Sequence, residues 1–175
     1  MFPNDQELTS WMKKCNERYT GWFRIQFCKM QVLTTPSEIL SLSYRLLKEA
    51  RKEILVIFHT ANALVRQEKA GAVDLLVESA IKYKTQVKIL VPIEVIALNT
   101  IRRLEGTNGI QVRHVESIMQ TMVTIVVIDR TYSIAVELKD DTKGHSEEAI
   151  GLATFSNSKS TVLSYVSMFE SYEIN

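Results

Sequence analysis

Short apolar runs rich in β-branched residues alternate along this chain with amphipathic stretches of helical period, and that alternation most constrains its fold. "EILVIFHT" (53–60) and "QVKILVPI" (86–93) are near-continuous apolar runs of the kind a parallel sheet covers on both faces. "IQVRHV" (110–115) and "AIGLATF" (149–155) read as two further strands. Between them lie helices. "TTPSEILSLSYRLLKEARKE" opens on Thr35 as N-cap, Pro36 at the first helical position and Glu38 completing a capping box. Ile39, Leu42, Leu46, Leu47 and Ala50 make its buried stripe. "EKAGAVDLLVESAIKYK" (68–84) turns Leu75, Leu76, Ala80 and Ile81 inward, and "VIALNTIRRLEG" ends near Gly106. "TVLSYVSMFESY" (161–172) is the last helix. "MVTIVVIDRTYSIAVEL" (122–138) reads as a hairpin turning at Asp129-Arg130. Strands that alternate with helices predict an α/β fold, and the hairpin makes the sheet mixed, sandwiched by helices.

The N-terminal part has a different texture. Leu8, Trp11, Met12, Cys15 and Tyr19 fall on one helical face over residues 5–19, and Phe23, Ile25 and Phe27 alternate as in a half-buried strand. The expected division is residues 1–32, a helix and strand packing on the body, and 33–175, the body itself. With 46% hydrophobic and 23% charged residues, the composition is that of an ordinary globular domain. The net charge of +1 gives no reason to invoke nucleic acid or an anionic membrane, and neither is expected as a partner. Cys15 and Cys28 show no CxxC spacing and read as buried thiols. No apolar run spans a bilayer, and "MFPNDQELTS" lacks the apolar core of a signal peptide. The expected location is cytoplasmic.

Three places could carry function. Ligands in open α/β sheets bind beyond the carboxyl ends of strands. That position after "LVIF" holds His59, Thr60 and Asn62, with Arg66 a turn beyond; capping by Thr60 and Asn62 is the plainer alternative. The second is "TFSNSKS" (154–160), where Ser156, Asn157 and Lys159 crowd a strand-to-helix turn whose free N–H groups favour an anion, unless Ser158 or Ser160 merely caps the helix. No nucleotide-binding glycine pattern is present, and no cofactor is expected. His114 and His145 are isolated, so no metal is expected, and "KDDTKGHSEE" (139–148) reads as a flexible, solvated loop. The third place is the hairpin.

That hairpin resembles the strand pair carrying the His-x-Lys-x4-Asp motif of phospholipase D enzymes. Counting back from Asp129, Met122 occupies the histidine position and Thr124 the lysine position. Methionine cannot attack phosphorus and threonine carries no charge to hold a phosphoryl oxygen, so no catalytic residue is assigned. "EILVIFHTANA", "EKAGAVDLLVESAIKYKTQVKILVPI" and "TIVVIDRTYSIAVELKDDTKGHSEEAIGLATFSNSKSTVLSYVSMFE" further resemble a phospholipase-D-like sensory module of archaeal signal-transduction histidine kinases. More distantly they are similar to the effector domain of archaeal sugar-responsive transcription regulators. The resemblance covers roughly residues 33–172 and is most specific in "ELKDD" and "IGLATFSNSKSTVLSYVSMFE".

It implies a mixed sheet between helices, no autonomous chemistry, and a signal passed along the last helix towards a downstream kinase in a parent protein. The chain carries no phosphoacceptor segment or ATP-binding lid, so it is not expected to phosphorylate anything itself. The resulting expectation is a two-component sensor domain binding a small polar or anionic ligand. His59, Thr60, Asn62 and Arg66 would form one wall of a single cleft, Ser156, Asn157 and Lys159 the other, with Thr124 beneath. Two alternatives stand beside it. One is a divergent phosphodiesterase using His59. The other is a dimerisation scaffold built on the Trp11/Trp22 segment and the terminal helix, and a homodimer is expected.

Overall fold

The computed structural model of the chain describes residues 30–116 and 122–173. The expected helix over 5–19, the strand around Phe23–Phe27, both cysteines and both tryptophans lie outside these residues.

The β-branched runs form seven strands of one sheet: β1 (Met30–Leu33), β2 (Glu53–Ile57), β3 (Gln86–Val91), β4 (Ile110–His114), β5 (Val123–Ile128), β6 (Tyr132–Leu138) and β7 (Ile150–Ser156). Their spatial order is β1-β7-β6-β5-β2-β3-β4. β2 and β3 run parallel, as their continuous apolar runs predict, and β4 adds a third parallel strand at the edge. β5, β6, β7 and β1 add antiparallel neighbours, so the sheet is mixed. β1 pairs residue for residue with β7, so the expected division at residue 32 falls inside a strand of the body's own sheet.

The helices are α1 (Pro36–Glu49), α2 (Ala61–Lys69), α3 (Ala72–Tyr83), α4 (Leu98–Glu105), the short α5 (Ser146–Ala149) and α6 (Lys159–Glu173). One face of the sheet presents Ile54, Val56, Ile89, Ile134 and Phe155 to a core shared with α1–α4. The other presents Leu55, Ile57, Ile125 and Val127 to Val162, Val166 and Phe169 of α6, which stand at helical spacing on one stripe. Phe155 and Phe169 are almost wholly buried. Each stabilises the fold by roughly 1.5–3 kcal/mol relative to exposure.

Three local expectations are corrected. Helix 68–84 is two helices, because Gly71 between them takes a φ of +85°, which L side chains avoid. Ile81 points outward and is 57% exposed, while Val73 and Ser79 take the inner face of α3. The capping box at α1 is absent. Thr35 spends its hydroxyl on the Glu38 carboxylate at 2.8 Å and makes no side-chain cap on the backbone.

Candidate functional site

The hairpin turn between β5 and β6 needs two left-handed residues, and Asp129 (φ +52°) and Arg130 (φ +53°) supply them. Aspartate tolerates this conformation, and its carboxylate has a second use. It accepts hydrogen bonds from the backbone N–H groups of Arg51, Lys52 and Glu53 at 2.8–3.3 Å, which fixes the entry into β2. Arg130 bridges Glu53 at 2.8 Å and Glu170 of α6 at 2.9 Å. Asp129 therefore serves the fold here. Met122 is 42% exposed just before β5, and Thr124 is buried against the face that carries α1–α3.

The residues after β2 do converge, on a carboxylate of the chain itself. Thr60 is the N-cap of α2. Its hydroxyl accepts from the Ala63 N–H at 3.1 Å and donates to Asp141 Oδ1 at 2.9 Å. Asn62 donates its side-chain amide to Asp141 Oδ2 at 3.2 Å. Arg66, 3% exposed, reaches Asp141 Oδ1 at 2.6 Å through one guanidinium nitrogen. Its other terminal nitrogen donates to the backbone carbonyls of Asp141 (2.8 Å) and Lys143 (3.3 Å). A buried guanidinium requires such partners, because an unpaired charge away from water is strongly unfavourable. Next to the clamp, His59 is partly buried. Burial lowers its pKa below the usual 6.5, and the Asp141 charge opposes that shift.

Residues 139–148 are solvated over most of their length, as expected, with Lys139, Thr142, Lys143, Gly144, His145, Glu147 and Glu148 exposed, but the segment is anchored at Asp141 and Ser146. Asp140 folds the start back by accepting from the Thr142 N–H (2.9 Å) and hydroxyl (2.6 Å), which holds its own carboxyl below the ordinary range. Gln67 of α2 donates to the Ser146 hydroxyl at 3.4 Å. His145 is exposed and its carbonyl caps α5. Among the described residues, no three His, Cys, Asp or Glu side chains stand together as metal ligands would.

The single cleft with two walls does not form. Strand register sets Ser156 level with Ser133, Val127 and Leu55. Phe58 and the site residues beyond it lie past the other end of β2. Thr60 is five residues further along than Leu55, roughly 16 Å at strand rise. Asn157 and Lys159 continue away from it, towards the Asp129 turn. The Ser156 hydroxyl accepts from the Ser158 N–H at 3.1 Å, a local turn at the head of α6. Thr124 lies on the Arg66 side, since Ile57 pairs with the adjacent Ile125. Asp141 is the residue that sequence reasoning missed. Its signal was Arg66, an arginine beside the buried Ala63 and Leu64 of α2, which called for an acid from elsewhere in the chain.

No family model and no curated protein sequence matches the chain. Solved structures do. NucT from Helicobacter pylori is 12% identical, with a TM-score of 0.65 over 82% of this chain and 94% of that one. The phospholipase D family member Nuc from Salmonella typhimurium is 13% identical, with a TM-score of 0.58 over 82% of this chain and 92% of that one. TrmBL2, described as an archaeal chromatin protein with a novel mode of DNA binding, is 15% identical with a TM-score of 0.56; the match covers 95% of this chain and 58% of TrmBL2. The chain has a phospholipase-D-like fold. At these identities the likeness is one of fold.

The comparison corrects the exclusion of nucleic acid as a partner, because the same fold occurs in a DNA-binding protein. The physical error lay in arguing from a net charge of +1, which hides how charge is distributed. Lys48, Arg51, Lys52, Lys82 and Lys84 are exposed at the end of the sheet where β2 and β3 begin, interleaved with Glu49, Glu53, Glu78 and Asp129, while Asp140, Asp141, Glu147 and Glu148 share the other end with Lys139 and Lys143. These likenesses do not favour a histidine kinase as the parent protein. They also lend no support to a homodimer or a particular small ligand. Among the described residues, no helix is long and apolar enough to cross a membrane.

Proposed function

We propose that this chain is a non-catalytic regulatory domain in which loop 139–148 is a latch, held shut by its own Asp141 and released when a small anion takes that carboxylate's place on Arg66. The observation that carries the reading is the convergence of Thr60, Asn62 and Arg66 on one carboxylate oxygen pair. A pocket assembled for a carboxylate from side chains on a rigid helix binds another carboxylate by the same chemistry. Release moves the segment between β6 and β7, and β7 leads within two residues into α6, the helix expected to pass the signal on. Counted back from Asp129, Met122 and Thr124 take the histidine and lysine positions of the motif that the hairpin resembles, which supports a regulatory rather than a chemical role.

The test is hydrogen exchange and thermal shift with acetate and with phosphate, on wild type and Asp141→Ala. Faster exchange in 139–148 on anion addition, and tighter anion binding by Asp141→Ala, are expected. If neither protein responds to either anion, the reading is wrong. Hydrolysis of a generic phosphodiester above blank that vanishes in His59→Ala would restore the enzymatic alternative.

A second reading, contact with nucleic acid, is favoured by a cluster of exposed basic side chains at one end of the sheet. There the Arg51 guanidinium lies 4.0 Å from the Tyr83 ring centroid, among Lys48, Lys52, Lys82 and Lys84. A mobility shift with random duplex DNA that weakens steeply with salt, and is lost in a Lys48→Glu, Arg51→Glu, Lys52→Glu variant, is the expected sign. Absence of any shift at low salt removes this reading.

A further inference from the structure

Under the latch, between the sheet and α1–α3, lies a cavity of about 60 Å³. Ile39 and Leu47 of α1, Val56 of β2, Val126 of β5 and Val136 of β6 line it, and Thr124 opens onto it. Arg66 belongs to both places. It lines the cavity, and its guanidinium holds Asp141. We propose that Arg66 and this cavity together accept a short-chain monocarboxylate of about three to five carbons, its carboxylate exchanging with that of Asp141 and its hydrocarbon tail entering the cavity. The inference rests on the latch reading and names the ligand class for it.

Four features point to that class. First, only one guanidinium nitrogen of Arg66 reaches the Asp141 carboxylate, while the other is given to backbone carbonyls of the same loop. A carboxylate arriving without a backbone attached can take the two-pronged geometry that guanidinium groups favour. Second, Arg66 is the one charged group among the described residues lining the cavity. A single negative charge is matched there; a second, as on phosphate, would be left uncompensated on a low-dielectric wall.

Third, the walls are apolar apart from scattered hydroxyl and amide groups, so the remainder of the ligand is hydrocarbon. With about 60 Å³ where roughly 10–15 Å³ is the least that admits one water-sized group, the space suits a short tail and excludes a long one. Fourth, Thr124 occupies the position that resembles the lysine of the phospholipase D motif. A threonine in place of a lysine leaves volume and no charge at that wall. The sugar-like ligands suggested by one resemblance carry several hydroxyl groups that these walls cannot satisfy.

The experiment is calorimetric titration of the full chain with acetate, butyrate, octanoate and butylamine, using wild type, Arg66→Met and Thr124→Leu, with circular dichroism confirming that each variant is folded. Butyrate is expected to bind roughly tenfold more tightly than acetate, the effect of two further buried methylenes. Octanoate should bind no better than butyrate, and butylamine should not bind. Thr124→Leu fills the cavity and should erase the butyrate preference while leaving acetate affinity within about twofold of wild type. Arg66→Met should abolish all binding.

Equal affinity for acetate and butyrate would overturn the cavity as tail site and leave the latch intact. Butylamine binding as well as butyrate, or an undiminished butyrate preference in Thr124→Leu, would overturn the ligand class. If no carboxylate binds wild type, the latch reading falls as well. Should Thr124→Leu fail to fold, Thr124→Ile, which has the same number of side-chain atoms as leucine and keeps the branch at Cβ, provides the same comparison.

Discussion

Two aspartates flank β6, Asp129 at its entrance and Asp141 just past its exit, and both tie a loop to the neighbourhood of β2. They do so with different partners. Asp129 is held by three backbone N–H groups, those of Arg51, Lys52 and Glu53. Asp141 is held by the side chains of Thr60, Asn62 and Arg66. Backbone donors are present whatever the sequence and cannot rotate away, so the Asp129 contact is set by the path of the chain. Side-chain donors are specified residue by residue and can serve another acceptor of the same chemistry. The first arrangement suits a fixed joint; the second suits one that another carboxylate can open.

The largest effect should therefore come from the fixed joint. Asp129→Ala leaves three N–H groups without their acceptor and a left-handed position without the residue type that tolerates it. A loss of about 3 kcal/mol is expected, read as a lower urea midpoint at unchanged slope. Asp141→Ala should cost less, about 2 kcal/mol, because Arg66 keeps both backbone carbonyls and the Asp141 side chain is 20% exposed, within reach of water. A double-mutant cycle with Arg66→Met should return a coupling of about 1 kcal/mol. If Asp141→Ala proves more damaging than Asp129→Ala, the distinction between joint and latch is lost.

The sequence carried the sheet well because period and β-branching act locally. The parallel runs 53–57 and 86–91, the hairpin and the α1 stripe Ile39, Leu42, Leu46, Leu47 and Ala50 all lie where periodicity places them. It carried the candidate site only by half. Thr60, Asn62 and Arg66 are brought together because they share a helix start, which local spacing reveals. Asp141 lies 75 residues beyond Arg66, and nothing local pairs them. The expected second wall failed for the complementary reason. Which end of a sheet a turn occupies depends on strand direction, and the antiparallel placement of β7 sends Ser156 and Lys159 to the opposite end. Ile81 shows the same limit on a smaller scale: Leu76 and Ala80 face inward as expected, but packing places the edge of the buried stripe at Ser79 and Ala80 and leaves Ile81 outside it.

Proteolysis sharpens the comparison at native conditions. Lys139 and Lys143 bracket Asp141, and Lys143 is exposed. Asp141→Ala should make 139–148 a preferred trypsin site. Each 1 kcal/mol removed from local closure raises the open population about fivefold, and cleavage should rise in proportion. In Asp129→Ala, cleavage of this loop should change only as global stability does. Equal acceleration in the two variants would show that the loop opens by global unfolding and has no latch of its own.

The smallest effect, and the most specific, concerns His59. Burial depresses its pKa in the folded protein and the Asp141 charge raises it part of the way back. A depressed folded pKa means that the unfolded chain binds the proton more readily. The contribution is then complete above the unfolded value near 6.5 and is lost as pH falls through the folded value. Urea midpoints between pH 7.5 and 5 should decline in wild type more than in His59→Gln, which carries no titrating group there. Removing Asp141 takes away the opposing charge, so in Asp141→Ala the folded pKa should drop further and the His59-dependent decline should extend to lower pH. Asp129→Ala, at the far end of the sheet, should leave the His59 titration where it is in wild type. NMR titration of the His59 ring in the three proteins measures this directly. An identical midpoint in wild type and Asp141→Ala would place the Asp141 charge too far from the ring to act on it, and would separate His59 from the latch.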